Sequence, residues 1–259
     1  VWTIHNVVPH EPQTADDQTL SRYLAAIADG KIVHSPYTLA QMEAIGMDTA
    51  NTTVIPHGNY DGSYPDGISR AAARKQLGLQ KNDFAILFFG KIRQYKGVEG
   101  LLAAFQALQL PHTRLIIAGQ NDTVESDAAI RAASQHAAIS YYPGHVADAD
   151  VATYFKACDI VCLPFTSITT SGSVLLALTF GKPLIAPQTG ALTDIPAAAG
   201  YIYDPALPGA LQQTLHTAIV QHHTLLTKGK AARAYADTLS WDKLATKTYD
   251  FYVRLLERK

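Results

Sequence analysis

Short apolar runs alternate with amphipathic stretches along nearly the whole chain. Val1-Trp2-Thr3-Ile4 alternates as a half-buried strand does and runs straight into His5-Asn6. Pro9-His10-Glu11-Pro12 reads as a loop, and over residues 16–29 Leu20, Tyr23, Leu24, Ile27 and Ala28 recur at helical spacing. Residues 31–35 form a strand, Pro36 opens a helix that runs through Ile45, and Gly46 ends it. A third strand, residues 52–55, runs into Pro56-His57-Gly58. Residues 61–67 hold two glycines, a proline and two aspartates, and read as a linker.

Beyond the linker the pattern restarts. Helices are expected over residues 69–79, 98–108, 124–137 and 148–157, and strands over 84–89, 114–118, 139–142 and 159–164. A Gly/Ser/Thr loop then opens a helix that ends at Gly181, followed by strands at residues 184–186 and 200–203; helices fill most of the rest. Strands alternating with helices predict parallel sheets with right-handed connections. The expected architecture is α/β, with two Rossmann-like domains: residues 1–62, residues 63–239, and a final helix over 240–259. Trp241, Leu244, Ala245, Thr248, Tyr252, Leu255 and Leu256 mark one face of that helix. The stripe suits packing back across the linker onto the first domain, and equally an ordinary terminal helix.

Length changes the picture little, because 259 residues suffice for two domains. An apolar content of 47% with 17% charged residues marks a well-buried globular chain. A net charge of −1 gives no electrostatic reason to bind nucleic acid. The ten histidines are scattered and show no metal-ligand spacing, so no metal is expected. Cys158 and Cys162 read as buried thiols rather than a disulfide, which fits a reducing, cytoplasmic setting. No run has the length of a transmembrane helix, and no signal-peptide pattern is present. A chain that opens inside a strand is expected to be missing preceding structure, or to receive it from a partner chain.

Candidate chemistry gathers at predicted strand ends. Thr169, Thr170, Ser171, Gly172 and Ser173 form a helix start whose free backbone N–H groups and dipole suit a phosphate; an ordinary capped crossover helix would look the same. Gly90-Lys91-Ile92-Arg93-Gln94-Tyr95-Lys96-Gly97 sits where open α/β sheets bind ligands. Its three cations beside glycines suit a diphosphate leaving group, or else a solvated turn. Neither a Walker P-loop nor a GxGxxG fingerprint is present. His5 and His57 end strands of the first domain and face the interdomain gap with Asn6; each is a candidate for proton exchange with a hydroxyl, or a structural histidine. Tyr141, Tyr142, Gly144 and His145 lie at another strand end, where a nucleotide base could stack.

Together these motifs resemble the GT-B-fold glycosyltransferases of family 4 and its relatives, the glycosyl transferases group 1. The matching stretches are Thr3-Ile4-His5-Asn6, residues 28–35, Ile55-Pro56-His57-Gly58, and Gly90-Lys91-Ile92 with Lys96-Gly97, so the resemblance spans almost the whole chain. It implies a metal-independent hexosyltransferase of polysaccharide biosynthesis, with no cofactor beyond a nucleotide diphosphate sugar as donor. The implied acceptor is a saccharide or lipid-linked saccharide hydroxyl, which places the enzyme in the cytoplasm, at the inner membrane face where the acceptor is lipid-linked and peripheral membrane contact follows. Lys91 and Lys96 would contact the donor diphosphate, with Gly90 and Arg93 beside them and Gly144 and His145 on the donor side. The amides of Gly172 and Ser173 would hold the β-phosphate, and His5 would sit near the transferred sugar.

Two departures bear on activity. The family's pair of glutamates, counted back from Gly181, falls on Ile168 and Leu176, and no carboxylate occurs between Phe165 and Thr193. The hydroxyls of Thr169, Thr170 and Ser171 would have to replace the lost hydrogen bonds. The glycine-rich loop early in the family's first domain has no counterpart, so the first domain is expected to be truncated and the acceptor site incomplete. The alternative is therefore an inactive or partner-dependent nucleotide-sugar-binding subunit. A nucleotide-sugar epimerase of the same fold would need carboxylates in the cleft.

Overall fold

The computed structural model describes residues 1–8 and 16–258, so the loop expected at residues 9–12 lies outside the described residues. The strands β1 (Trp2–Ile4), β2 (Lys31–Val33) and β3 (Thr52–Val54) form a parallel sheet in chain order, joined through helices α1 (Asp17–Ile27) and α2 (Pro36–Ala44). The start of α2 is set locally: Pro36 takes the first helical position, and the Thr38 N–H donates to Ser35 Oγ at 3.0 Å. Ile4, Val33, Ala25 and Met42 close a small core between sheet and helices. Leu20, Tyr23 and Ile27 of α1, expected on one helical face, point outward instead, and Ala25 is what α1 buries.

The second sheet has six parallel strands: β4 (Phe84–Phe89), β5 (Thr113–Gly119), β6 (Ile139–Pro143), β7 (Ile160–Cys162), β8 (Leu184–Pro187) and β9 (Gly200–Tyr203). Their order is β6-β5-β4-β7-β8-β9. Alternate residues of β4 serve two cores, as a strand buried on both faces must: Ala85, Leu87 and Phe89 face one, Ile86 and Phe88 the other. The first core also takes side chains from α3 (Arg70–Gln76), α6 (Asp148–Ala157), α7 (Gly172–Thr179) and α9 (Leu225–Thr238). The second takes them from α4 (Val98–Leu108), α5 (Val124–Ala133) and α8 (Ala210–Val220). Helix α5 stops at Ala133, short of the expected residue 137, where a Ser134 Oγ–Arg131 carbonyl bond and a His136-to-Ala133 turn lead into β6.

The chain lays down β4, β5 and β6 outward on one side, then returns to place β7 beside β4. The strand order reverses there, and the loops leaving β4 and β7 diverge around a crevice at their carboxyl ends.

Helix α10 (Trp241–Leu256) packs back on the first sheet, with Leu244, Phe251 and Leu255 against Ile32 and Ile55. The contact uses one edge of the stripe read from the sequence. Phe251 was not part of that stripe and is buried, whereas Trp241, Tyr252 and Leu256 are exposed. Trp241, though more than half exposed, also finds a partner: its ring lies over Gly58 with its centre 5.7 Å from that of the His57 ring, and its Nε1–H donates to the Asn59 carbonyl at 2.8 Å. The crossing segment is clamped to α9: Asn59 donates from its backbone to Leu239 and from Nδ2 to Ala236, each at 2.9 Å, and Arg233 grips Asp61 at 2.5 and 2.6 Å. The hydrogen bond from Arg233 holds the Asp61 carboxyl below the usual carboxylate range.

Candidate active site

Two loops meet where β4 and β7 diverge. Gly90, directly after β4, has φ +111°, and a Cβ there would lie 2.5 Å from Ser173 Oγ and 3.5 Å from Lys96 Nζ. Glycine is required twice over, for the dihedral and for the space, and its absent side chain lets α7 close on the β4 loop. Residues Gln94–Lys96 form a single 3-10 turn tied to the loop after β7 by the Thr166 N–H, which donates to the Tyr95 carbonyl at 2.8 Å.

That turn aims Lys96 inward. Its side chain is nine-tenths buried, its Nζ stands 5.9 Å from the centre of the Phe165 ring, and among the described residues no carboxylate pairs with it. Burial first, and the nearby Arg93 second, push the Lys96 ammonium down to about 8. A buried cation with no carboxylate partner among the described residues, beside a glycine-lined gap, offers the charge and the space that an anion needs.

The second wall is the start of α7. Ser171 caps it, accepting from the Val174 N–H at 3.4 Å, which leaves the Gly172 and Ser173 amides without intrahelical partners. Amides, dipole and Lys96 therefore converge on one volume. Tyr60, from the crossing segment, brings its hydroxyl to 2.7 Å from where a Gly172 Cβ would stand. Thr170 Oγ1 is buried with no hydrogen-bond partner among the described residues. Ile168 and Leu176, at the places of the family's glutamates, are both buried in the apolar core.

The three cations stand in different surroundings. Lys91 pairs with Asp122 at 2.6 Å and Arg93 stands 3.8 Å from the same carboxylate, both part-exposed at the outer lip. Gly144 and His145 stand exposed after β6, two strands from β4, with the Gly144 N–H donating to the Gly119 carbonyl at 3.2 Å and Gly119 packed against Gly90. Tyr141 is taken up by Asp127, through its hydroxyl at 2.6 Å, and by Arg131, whose guanidinium lies 5.6 Å from its ring; Tyr142 packs edge-on against Tyr154 at 5.4 Å.

From the first domain, Asn6 accepts a hydrogen bond from the Thr169 hydroxyl, joining the two sides of the cleft. His5 and His57 are brought together by a residue that sequence reasoning passed over. His34 lies between them, its ring centre 4.9 Å from that of His5 and 5.8 Å from that of His57. The parallel register pairs Ile4 with Val33, so His5 and His34 are consecutive strand-end residues side by side. A histidine directly after each of two strands was the signal available. His34, His57, Thr169, Thr170 and Asp194 line one cavity of about 70 Å³ between the domains. Burial raises the Asp194 carboxyl within it. Among the described residues no group of three or more His, Cys, Asp or Glu is arranged to hold a metal ion. Cys158 and Cys162 are free, buried thiols, and burial pushes Cys158 up to about 11.

Two parallel Rossmann-like sheets facing a cleft, with an anion cradle at the strand-order reversal of the second, define the GT-B class. The chain belongs to the glycosyl transferases group 1 family, whose family model matches residues 69–234. It is 28% identical over 216 residues to the GDP-mannose:glycolipid 4-beta-D-mannosyltransferase of Xanthomonas campestris pv. campestris, covering 82% of this chain and 57% of that protein. The chain thus spans little more than half the length of that relative. Its fold is that of sucrose-phosphate synthase from Thermosynechococcus elongatus, with TM-score 0.83 and 23% identity over 99% of this chain and 68% of that one. It also matches Anabaena HepE, solved in complex with UDP and glucose, with TM-score 0.82 and 17% identity over 97% of this chain and 70% of that one. No helix among the described residues is long and apolar enough to cross a membrane.

Proposed function

We propose that this chain is the donor-binding part of a glycosyltransferase that moves a hexose from a UDP- or GDP-sugar to a hydroxyl of a glycan or lipid-linked saccharide. The observation that carries this reading is the convergence of buried Lys96, which no carboxylate among the described residues pairs, with the first amides of α7 at Gly172 and Ser173 across the gap left by Gly90. Charge develops on the diphosphate as the anomeric bond breaks, and preorganised donors in a site shielded from water stabilise it most at that moment. In this arrangement the lysine and helix start supply what a bound metal would otherwise provide. The hydroxyls of Ser173 and Thr170 add neutral donors where the family's carboxylates are missing. His5, Asn6 and His57 face the same cleft from the acceptor side. The mannosyltransferase relative uses, by its name, GDP-mannose and a glycolipid, which makes GDP-mannose the first donor to test.

The test is calorimetric titration with UDP, GDP, ADP and TDP, followed by a transfer assay with the matching sugar. Binding of one nucleotide that is lost in Lys96→Ala, with turnover reduced by roughly 100-fold or more, is the expected result. Undiminished binding and turnover in that variant would remove the central claim. One observation favours a second reading: the apolar Ile168 and Leu176 leave no carboxylate for the donor ribose. A nucleotide-sugar-binding subunit that depends on a partner chain would bind a nucleotide through Lys96 yet transfer no sugar alone.

A further inference from the structure

We propose that His34 is a positioning residue that fixes His5 as the proton acceptor for the incoming hydroxyl; the inference rests on the transfer reading above. His34 Nδ1 lies 2.9 Å from the Ile55 carbonyl. A carbonyl only accepts, so Nδ1 carries the hydrogen and Nε2 presents the lone pair. Yet Nε2 is buried and has no donor among the described residues. A buried orphan acceptor is costly, and one flanked by two imidazoles invites a donor.

His57 is not that donor. Its Nδ1 stands 2.8 Å from the Gly58 carbonyl, which by the same logic holds the hydrogen there and leaves a second lone pair at Nε2. His5 remains. It is exposed, its ring centre is 4.9 Å from that of His34, and among the described residues it makes no hydrogen bond. A modest rotation of its ring delivers one N–H to His34 Nε2, and the other His5 nitrogen is then left as a lone pair open to the cleft.

The chemical step balances. The acceptor O–H gives its proton to the free His5 nitrogen while the oxygen bonds to the anomeric carbon. The bond from that carbon to the diphosphate oxygen breaks, and its electron pair stays on the diphosphate beside Lys96. The His5 imidazolium keeps its second N–H on neutral His34, which stabilises the new charge, and later returns the proton to water. Burial first, and the two neighbouring histidines after it, hold His34 below the ordinary histidine value; the Ile55 bond opposes this in part. Among the described residues, the titratable groups that face His34 are His5 at the end of β1 and His57 after β3, with Asp194 and Tyr235 across the shared cavity.

The test reads the pair directly, by two-bond ¹H–¹⁵N correlation spectra of the histidine-labelled chain across the titration range. Wild type should show His5 in one dominant tautomer. His34→Asn keeps a donor for Ile55 but no acceptor for His5, so His5 should lose that preference and its pKa should fall. His34→Gln reaches an amide oxygen toward the place of Nε2 and should restore both. A merely structural His34 would give the opposite order, with Asn harmless and Gln disruptive, and that order overturns the proposal, as does an unchanged His5 in both variants. If His34→Asn does not fold, loss of the His5 preference in folded His34→Gln overturns it as well. These spectra need no sugar transfer, so failure of the transferase reading would show separately in the nucleotide titrations. Where turnover is measurable, His34→Asn should lower kcat by about 100-fold with the donor KM unchanged, the low end of what an oriented base contributes.

Discussion

Lys91 and Lys96 show how little a lysine's place in a motif says about its role. One pairs with Asp122 at the part-exposed outer lip, and the other is enclosed with no carboxylate partner among the described residues. The difference makes a pH prediction. An ordinary lysine titrates at 10.5, and burial brings Lys96 to about 8, so the folded chain releases this proton before the unfolded chain does. The buried charge therefore costs stability in full below the folded value, and the cost shrinks as pH rises toward the unfolded one. Ligand binding runs the other way, because the diphosphate needs the cation. Nucleotide affinity should weaken above a pH of about 8. Binding just above that pH should also draw a fraction of a proton from the buffer. Calorimetry in two buffers of different ionisation enthalpy measures that uptake, and equal heats in both would contradict it.

Helix α7 is short and buried along most of its length, so its stability and the aim of its first amides depend on its ends. Ser171→Ala removes the cap that accepts from Val174 and should lower stability by about 1 kcal/mol in urea unfolding. The same variant should weaken nucleotide binding, because the Gly172 and Ser173 amides lose the turn that holds them. A stability loss with unaltered affinity would separate the cap from the anion site. The cap, the glycine stop and the strands either side were legible in the sequence because each is written within a few residues. The β4 loop was legible for the same reason, as a cluster of glycines and cations after an apolar run. Which of those cations faces inward was not, since Asp122 and Phe165 come from other elements.

At the level of the whole molecule, α10 ties the first sheet to the rest together with the Asn6–Thr169 bond. Its anchor is Phe251 in the cluster with Ile32, Ile55 and Leu244. Phe251→Ala should destabilise the chain by about 3–5 kcal/mol, as large-to-small changes in a packed core do. Hydrogen exchange should then quicken first in β1–β3 and α10, while the six-stranded sheet keeps its protection. Uniform loss across both sheets would show that the two fold as a single unit. Because the His5–His34–His57 group stands on that first sheet, the variant should also disturb the acceptor side before it disturbs nucleotide binding.

The sequence by itself determined the alternation of strands and helices, the parallel sense of both sheets, the phosphate-type loops and the family they resemble. Hydrophobic period, glycine dihedrals and helix caps are local properties, and a chain carries them wherever it folds. Only the tertiary structure decided that β7 lies beside β4, which turns two separate loops into one cradle. It also decided that Lys96 is buried while Lys91 is paired, and that α10 docks through Phe251 on the first sheet as well as through Trp241 on the crossing segment. The placing of His34 between two other histidines belongs with these. Each depends on which distant segments come into contact, and burial and pairing, unlike period, have no signature in the neighbouring residues.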